Sequence, residues 1–246
     1  MVAFTLLTLN IHQAFSAFHR RPILDELREA IGSVSADVVC LQEVGGHDPL
    51  SRRHAAWPDA PHYEVIADTL WPQYAYGRNT VYPDGHHGNA VLAKFPIARF
   101  LNHDVSVAKA EQRGMLWCTL DVPGQSGQIH VICVHLGLRE SHRQRQMAAL
   151  CDLVEAEIPA DAPLLVAGDF NDWRRRADGI LARCALREVF VAATGQSART
   201  FPAHWPLLAM DRIYVRNVHV ERARVLSGRP WSHLSDHSPL LVDVVT

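Results

Sequence analysis

The sequence predicts an α+β fold in which a few helices cover a large mixed sheet system. Short β-branched runs recur along the 246 residues with turn residues between them, and three segments have the apolar spacing of a helix. Apolar residues make up 48% of the chain, which is enough for a substantial core. Because no linker, internal repeat or low-complexity segment divides it, residues 1–246 are predicted to form a single domain.

Eight apolar runs bounded by turn residues are predicted to be strands. They are the segments 2–10, 37–44, 88–95, 114–122, 128–136, 162–170, 210–215 and 238–245. The VPGQSG segment at 122–127 has the proline and glycines of a hairpin turn, so the strands that flank it are expected to pair.

Three segments are predicted to be helices. Residues 21–34 follow a proline start with one apolar face, 141–158 repeat apolar residues on one side, and 177–186 show a weaker pattern. Arg143 and Gln146 belong to the second helix, and we expect them on its solvated face.

The charge of the chain is nearly balanced, with 24 basic and 26 acidic residues and a formal net charge of -2. This balance argues against a protein that coats long nucleic acids by charge alone, although it allows local binding of a phosphate. Lys94 and Lys109 are the only lysines. Arginine grips phosphate in a planar fork, although a GC-rich genome would produce the same bias.

The five cysteines form no CxxC pair and lie mostly in apolar runs, so they are expected to be buried free thiols in a reducing compartment. The sequence shows no signal peptide and no apolar stretch of 18 residues that would span a bilayer. We therefore expect a cytoplasmic monomer without an obligate protein partner, and peripheral contact with the inner membrane face is left open.

Polar side chains stand at the ends of several predicted strands: Asn10, Glu43, His135, Asp169, Asn171, Asp211, Asp236 and His237. Singly, an Asn or Asp after a strand usually forms a turn or a helix cap. Together, they would meet at one edge of the sheet system, where so many carboxylates need a cation or shared protons. Oxygen ligands without cysteine suit Mg²⁺ or Mn²⁺ better than Zn²⁺.

The order and spacing of TLNIH, LQEV, GNAVLAKFPI, an HL after an apolar strand, GDFN, DRIYV and SDHSPL resemble those of the endonuclease/exonuclease/phosphatase family. The resemblance runs from about residue 5 to about residue 241. It implies a four-layer α/β/β/α sandwich of two packed, mostly antiparallel sheets (DNase I-like), and a divalent metal, Mg²⁺ or Mn²⁺, at the strand edge.

The resemblance also implies roles for the polar residues. Glu43 corresponds to the family's metal ligand, with Asp236 and Asn10 near the metal. Asp169 and Asn171 correspond to the acid and amide that orient or deprotonate the attacking water. The phosphate would meet a histidine and carboxylate group, namely His237, Asp211 and His135.

Further positions carry weaker indications. His12 stands where abasic-site endonucleases have an aspartate, which puts a second metal-binding carboxylate in doubt and leaves His12 as a candidate substrate contact. Arg113 would either fork onto the phosphate or pair with Glu111. Asn89 is a candidate phosphate contact or a turn amide, and the arginine run 174–176 either receives an anionic substrate or is simply solvated. His86 and His87 are expected to be exposed.

The substrate is predicted least sharply. Five tryptophans fall in predicted loops, where they would hold a lipid tail, stack on bases or cover the core: Trp57, Trp71, Trp173, Trp205 and Trp231. The balanced charge favours a small or lipid phosphodiester over duplex DNA.

Three functions remain open at this point. A Mg²⁺-dependent phosphodiesterase or phosphatase is favoured because every acid that the chemistry needs is present, with a nuclease as its alternative. A zinc hydrolase is suggested by 15 histidines but lacks an HExxH motif. A non-catalytic scaffold would have lost Glu43, Asp169 or His237, and all three are present.

Overall fold

Two six-stranded sheets pack face to face in the protein. The computed structural model describes residues 1–16, 21–46, 60–82 and 85–246. The strands of these ranges are, in chain order, β1 (Ala3–Asn10), β2 (Val38–Gly45), β3 (Gln73–Tyr82), β4 (Gly85–Ala93), β5 (Ile97–Asp104), β6 (Gly114–Leu120), β7 (Ile129–His135), β8 (Leu164–Asp169), β9 (Arg187–Glu188), β10 (Asp211–Arg216), β11 (His219–Val225) and β12 (Leu240–Val245).

The helices of these ranges lie on the outer faces of the sheets, except one whose Val189 and Phe190 belong to the core between the sheets. They are α1 (Leu24–Val34), α2 (His62–Ala67), α3 (Glu140–Glu157), α4 (Ala177–Leu181), α5 (Val189–Thr194) and α6 (Trp231–Leu234), with short 3₁₀ turns at His12–Ala14 and Ala182–Cys184. No helix in the described ranges is long and apolar enough to cross a membrane.

The strand order of the first sheet is β11-β12-β1-β2-β4-β3, and that of the second is β5-β6-β7-β8-β10-β9. The pairs β1–β2 and β7–β8 are parallel, and the remaining pairs are antiparallel. Parallel pairing sets His135 beside Asp169, and antiparallel pairing sets Asp211 opposite the same Asp169. These three polar residues therefore lie together at one end of the strands of the second sheet.

Strand β6 shows why its sequence is a continuous apolar run. Leu116 and Cys118 point into the core between the sheets, whereas Met115 and Trp117 belong to the core under α3. Both faces of the strand are thus buried, and an alternating polar pattern would leave polar groups in the core. A third cluster of buried apolar residues lies between the first sheet and the helices α1, α2 and α6. These layers confirm the α+β sandwich with the order α/β/β/α, while the single domain stays a prediction.

The eight predicted strands are all present within a few residues, and the turn at 122–127 joins the antiparallel strands β6 and β7. The sequence did not predict β3, β5, β9 or β11, nor helices α2, α5 and α6. Strands β3, β5, β9 and β11 are the sheet edges. Segments such as IARFLNHD and HVERARV mix charged and apolar residues because an edge strand keeps much of its surface in water.

The tryptophans divide into two groups. Trp71 and Trp231 are core residues, and the indole Nε1 of Trp71 donates a 2.8 Å hydrogen bond to the Ala36 carbonyl. Trp173 and Trp205 are exposed by 41% and 68%. Trp57 lies outside the described residues. Covering the core is therefore the role of the first group only.

The five cysteines are free thiols and all are buried, as the sequence predicts.

His62 begins α2 with its imidazole buried. Burial lowers the pKa of His62 from 6.5 to about 4, so the native state keeps the ring neutral. The unfolded chain takes up a proton near pH 6.5. The stability that His62 contributes is therefore complete above pH 6.5 and is lost as the pH falls toward 4.

Between about pH 7 and about pH 5, we expect the free energy of unfolding to fall by about 2 kcal/mol more in the wild-type protein than in His62→Leu. Urea titrations of both proteins at the two pH values measure this difference. An equal fall in the two proteins would contradict the assignment.

Candidate active site

The predicted catalytic residues meet at one end of the sandwich because five chain segments deliver them there. Asn10 ends β1, His135 ends β7, Asp169 ends β8 and Asp211 begins β10. His237 lies just before β12, which pairs with β1. The spatial prediction made from the strand ends is thus met for these five residues.

Asp169 is the hub of the group. Its Oδ2 accepts a 3.2 Å hydrogen bond from Asn10 Nδ2, and it lies 3.6 Å from His135 Nε2 and 3.9 Å from His237 Nε2. Its Oδ1 accepts a 2.9 Å bond from the backbone N–H of Asn171. The carboxylate is therefore fixed by donors on both oxygens while it is almost fully buried.

Asn171 has a left-handed backbone with φ 51°. Its side-chain amide donates a 2.9 Å hydrogen bond to the Leu136 carbonyl, which ties the loop after β8 to the loop after β7. This bond orients the Asn171 amide, and asparagine is one of the residue types that tolerate such a φ.

Asp211 and His237 form a buried pair. Nδ1 of His237 lies 2.8 Å from Asp211 Oδ2, which fixes the ring so that Nε2 faces Asp169. The Phe201 ring packs against the imidazole with centroids 5.0 Å apart. Asp211 Oδ1 is buried and has no hydrogen-bond partner among the described residues.

The protons of this cluster are set by burial and by charge. Burial raises the pKa of Asp169 to about 7; the His237 charge opposes this rise and Asp211 adds to it. Burial opposes protonation of His237, but Asp211 and Asp169 outweigh it and raise its pKa to about 10. Near neutral pH, the cluster therefore holds a charged imidazole beside a carboxyl group that exchanges its proton easily.

His135 differs from His237 in its charge state. Burial lowers the pKa of His135 well below its usual value, and the positive charges of Arg113 and His237 lower it further. His135 is therefore neutral, and a neutral imidazole offers one donor and one acceptor nitrogen.

Glu43 sits in a β-bulge of β2, where the pairing with β4 shifts between Leu41 and Val44 and the Glu43 backbone has φ 56°. A bulge re-aims a side chain. Glu43 Oε1 accepts a 3.2 Å hydrogen bond from Asn10 Nδ2, so one asparagine amide joins Glu43 to Asp169.

Asp236 lies beside His12, with 3.9 Å between its Oδ1 and His12 Nδ1. The loop that carries it is anchored by Ser235, whose hydroxyl donates 2.7 Å to the Asn10 carbonyl and accepts from the backbone N–H of His237. The sequence did not single out Ser235, because a serine in a loop has no distinguishing signal. The structure places Asp236 and His12 together at the margin of the site.

Two metal arrangements are consistent with the chemistry of these donors. The ligating atoms of Asp169, Asp211 and His237 all lie within 4.8 Å of one another. The predicted metal group instead uses Glu43, Asp236 and Asn10. Since Asp211 and His237 already bond each other, the second arrangement leaves their pairing intact. The negative charge of Asp211 raises the pKa of Asp169, and a nearby cation would relieve that repulsion.

The charge of Arg113 acts on His135, and Asn89 bonds the backbone of β7 at Cys133, two residues before His135. Arg113 Nη2 is 3.5 Å from Glu111 Oε1, so the predicted alternative of a salt bridge is present, but both side chains are largely buried rather than on the surface. Asn89 is fully buried and donates to the carbonyls of Gly114 and Cys133. Its Nδ2 is thus engaged, and the phosphate contacts of Asn89, Arg113 and His12 stay predictions.

The prediction that Arg143 and Gln146 are solvated is wrong. Both are 1% exposed. Arg143 donates to the carbonyls of Gly137 and Leu138, and Gln146 accepts a 2.8 Å bond from the Gly137 N–H. Helical periodicity classifies them as polar and outward, but a long polar side chain can point inward when a loop offers it backbone groups. They hold the loop that follows His135.

The expected exposure of His86 and His87 is also wrong, since both are half-buried. Burial lowers the pKa of His87, and the charges of Glu43 and Arg113 act on it as well. His87 therefore borders the candidate site, and its position directly before the GNAVL strand is the signal that sequence analysis underweighted.

The chain is similar in sequence to known proteins over nearly its whole length. A family model described as "Endonuclease/Exonuclease/phosphatase family" matches residues 7–237. The chain is 54% identical over 244 residues to the protein YbhP of Escherichia coli (strain K12). The aligned region covers 98% of this chain and 96% of YbhP.

Solved structures show the same fold at low identity. An endonuclease/exonuclease/phosphatase from Beutenbergia cavernae DSM 12333 has a TM-score of 0.79 at 19% identity and covers 99% of this chain and 72% of that chain. D. rerio TDP2, complexed with single strand DNA product, has a TM-score of 0.71 at 18% identity and covers 100% of both chains. Both structures support the DNase I-like sandwich.

Proposed function

Because the chain belongs to the endonuclease/exonuclease/phosphatase family, we propose that it is a Mg²⁺-dependent phosphoesterase that hydrolyses a phosphodiester or phosphomonoester bond by attack of water. The observation that carries this proposal is the buried group of Asp169, His237 and Asp211. In this group the pKa of Asp169 is raised to about 7 and the pKa of His237 to about 10. A phosphoester hydrolase needs a proton acceptor for water and a donor toward the phosphate.

Asp169 is the proposed proton acceptor. A carboxyl group with a pKa of about 7 can take a proton from water and release it again near neutral pH. Asn171 positions the carboxylate through its backbone N–H, and Asn10 holds the other oxygen. The attacking water would therefore meet an acceptor of fixed orientation.

His237 is the proposed donor to the phosphate. Asp211 holds its Nδ1, so the proton on Nε2 is available to a phosphoryl or leaving oxygen. His135 would contact the same phosphate from the other side as a neutral ring. The neutral and the charged histidine then offer different hydrogen bonds to one tetrahedral group.

The metal would be held by Glu43 and Asp236, with Asn10 beside them. When bound, Mg²⁺ or Mn²⁺ would neutralise charge on the nonbridging phosphate oxygens. All of these ligands are oxygen donors, which suits a hard divalent cation. The other described polar groups keep their roles in orienting water and donating to the phosphate.

For the substrate, we propose a small or phospholipid-type phosphodiester. The formal charge of -2 and the near absence of lysine offer little for a long polyanion. DNA is the second candidate, prompted by the fold that the chain shares with a TDP2 bound to its DNA product. The cytoplasmic location and the monomeric state stay predictions.

Removal of the metal tests the reaction class. With bis-p-nitrophenyl phosphate as substrate, we expect excess EDTA to abolish hydrolysis and added Mg²⁺ or Mn²⁺ to restore it. The variant Glu43→Gln should need about 10 to 100 times more Mg²⁺ for half-maximal activity, because one anionic ligand is lost. Glu155→Gln, an exposed acid on α3, is the matched control and should behave as wild type. Full activity in EDTA would refute the metal requirement.

A substrate panel in Mg²⁺ separates the candidates. Sphingomyelin, phosphatidylglycerol, inositol phosphates, single-stranded DNA and abasic DNA differ in charge and in apolar content. Preferential turnover of either DNA would replace the proposed substrate class by the nuclease alternative. No turnover of any of them by the metal-loaded protein would favour a non-catalytic scaffold.

A further inference from the structure

A small hairpin beside the active site exposes apolar side chains. Residues 201–208 fold back so that Phe201 and Leu208 exchange backbone hydrogen bonds. Phe201, at the base, packs on His237, while Trp205 and Leu207 lie toward the tip with 68% and 56% of their surfaces exposed. The hairpin therefore joins the catalytic histidine directly to an exposed apolar tip.

A second loop pair exposes apolar side chains at the same end of the sandwich. Leu138, after β7, is 62% exposed, and Trp173, after β8, is 41% exposed. Arg143 connects the two loops, since it donates to the Leu138 carbonyl and its guanidinium lies 5.2 Å from the Trp173 ring. These loops are thus fixed to each other, and we call Leu138, Trp173, Trp205, Leu207 and Leu208 the mouth surface.

Positive charges without a carboxylate partner accompany the mouth surface. Arg139 and Arg174 follow Leu138 and Trp173 in the chain and are exposed. Neither forms a salt bridge within the described part of the chain, whereas their neighbours Arg175 and Arg176 pair with Asp178 and Glu140. Arg174 lies 5.9 Å from the Trp173 ring, so on a protein of formal charge -2 this end combines exposed apolar groups with cations that no carboxylate neutralises.

We propose that the mouth surface docks the protein on a bilayer that contains anionic phospholipid. Tryptophan and leucine insert at the boundary between headgroups and acyl chains, and arginine binds anionic headgroups around them. Single-stranded nucleic acid would also use tryptophan and arginine. However, three of the five mouth-surface side chains are leucines, which have no aromatic face for a base but gain from burial in hydrocarbon.

Docking in this orientation would set a lipid phosphodiester at the active site. The hairpin reaches from the bilayer side to His237. A lipid headgroup that lies between the hairpin and the loops of Leu138 and Trp173 would therefore be next to the catalytic cluster. This last step rests on the proposed function. Docking itself does not, because it depends only on surface residues outside the catalytic cluster.

Vesicle flotation of the full chain tests the proposal. We expect the wild-type protein to float with phosphatidylcholine vesicles that contain phosphatidylglycerol and much less with phosphatidylcholine alone. Trp205→Ser and Leu207→Ser should each weaken binding at least about tenfold, since exposed apolar area is lost. Arg174→Ala should weaken it about fivefold, and added salt should weaken it further.

Matched controls identify the surface. Phe100→Ser removes an apolar side chain of 50% exposure from β5, and Arg222→Ala removes an exposed arginine from β11; both should float as wild type. Glu43→Gln should also float as wild type, so a failure of catalysis is distinguished from a failure of docking.

Three results would overturn the proposal. The first is flotation that Trp205→Ser and Leu207→Ser leave unchanged, and the second is the absence of flotation in the wild type. The third is tight binding of a single-stranded oligonucleotide that displaces vesicles and is lost in Trp205→Ser, which would assign the surface to nucleic acid.

Discussion

Asp169→Asn is expected to lower kcat on bis-p-nitrophenyl phosphate by a factor of about 10² to 10⁴. The amide has nearly the shape of the carboxylate but cannot accept a proton from water. Asn10 and Asn171 donate to different oxygens of Asp169, and the single carbonyl oxygen of the amide can accept only one of these two hydrogen bonds. Steady-state kinetics with saturating Mg²⁺ measure the loss.

The same variant should not be less stable than the wild type. Burial raises the pKa of Asp169 from 3.8 to about 7, so ionisation of this side chain destabilises the native state increasingly between pH 3.8 and about pH 7, and a neutral amide removes that cost. We expect an equal or higher Tm, because this relief exceeds the cost of the one hydrogen bond that the amide can no longer accept. Asp152→Asn, an exposed acid on α3, is the control for both measurements. Retained kcat in a folded Asp169→Asn protein would show that another group accepts the proton.

His237→Ala is expected to lower the rate by a factor of about 10² or more. The substitution removes the donor toward the phosphate and leaves the buried Asp211 carboxylate without its partner, so some loss of Tm should accompany it. His237→Gln keeps a donor for Asp211 and separates the two effects. Relative to His237→Ala, the His237→Gln variant should recover more of the lost Tm than of the lost rate.

His130→Gln supplies the control for His237. His130 lies on β7 at the end away from His135 and is equally buried, at 6% exposure. We expect its kcat to equal that of the wild type. A loss below threefold in folded His237→Ala would mean that the reacting centre lies elsewhere.

The convergence of these side chains was predictable from sequence because the strand topology brings the strand ends together. Asn10, Asp169 and Asp211 end or begin apolar runs, and such runs are the strongest signal in an unaligned sequence. Once the sheets are known to stack, the ends of these strands have to meet. The roles of these residues stay predictions, which rest on the GDFN and SDH motifs.

The remaining features depend on contacts that no local pattern records. Arg143 and Gln146 are polar residues on a helix, and only the loop after His135 makes them buried. The bulge at Glu43 depends on pairing with β4, a strand distant in the chain. The exposed leucines of the mouth surface look like core residues by composition, because hydropathy does not report what a side chain faces.

The pairing of β12 with β1 has a consequence for how activity is acquired. Residues 3–8 hydrogen-bond along residues 240–245, and the Ser235 hydroxyl bonds the Asn10 carbonyl across 225 positions of the chain. Contacts of such separation carry a large loop-closure cost, which slows their formation. Turnover should therefore report completed folding, and a ribosome-bound chain that lacks its last strand would remain inert.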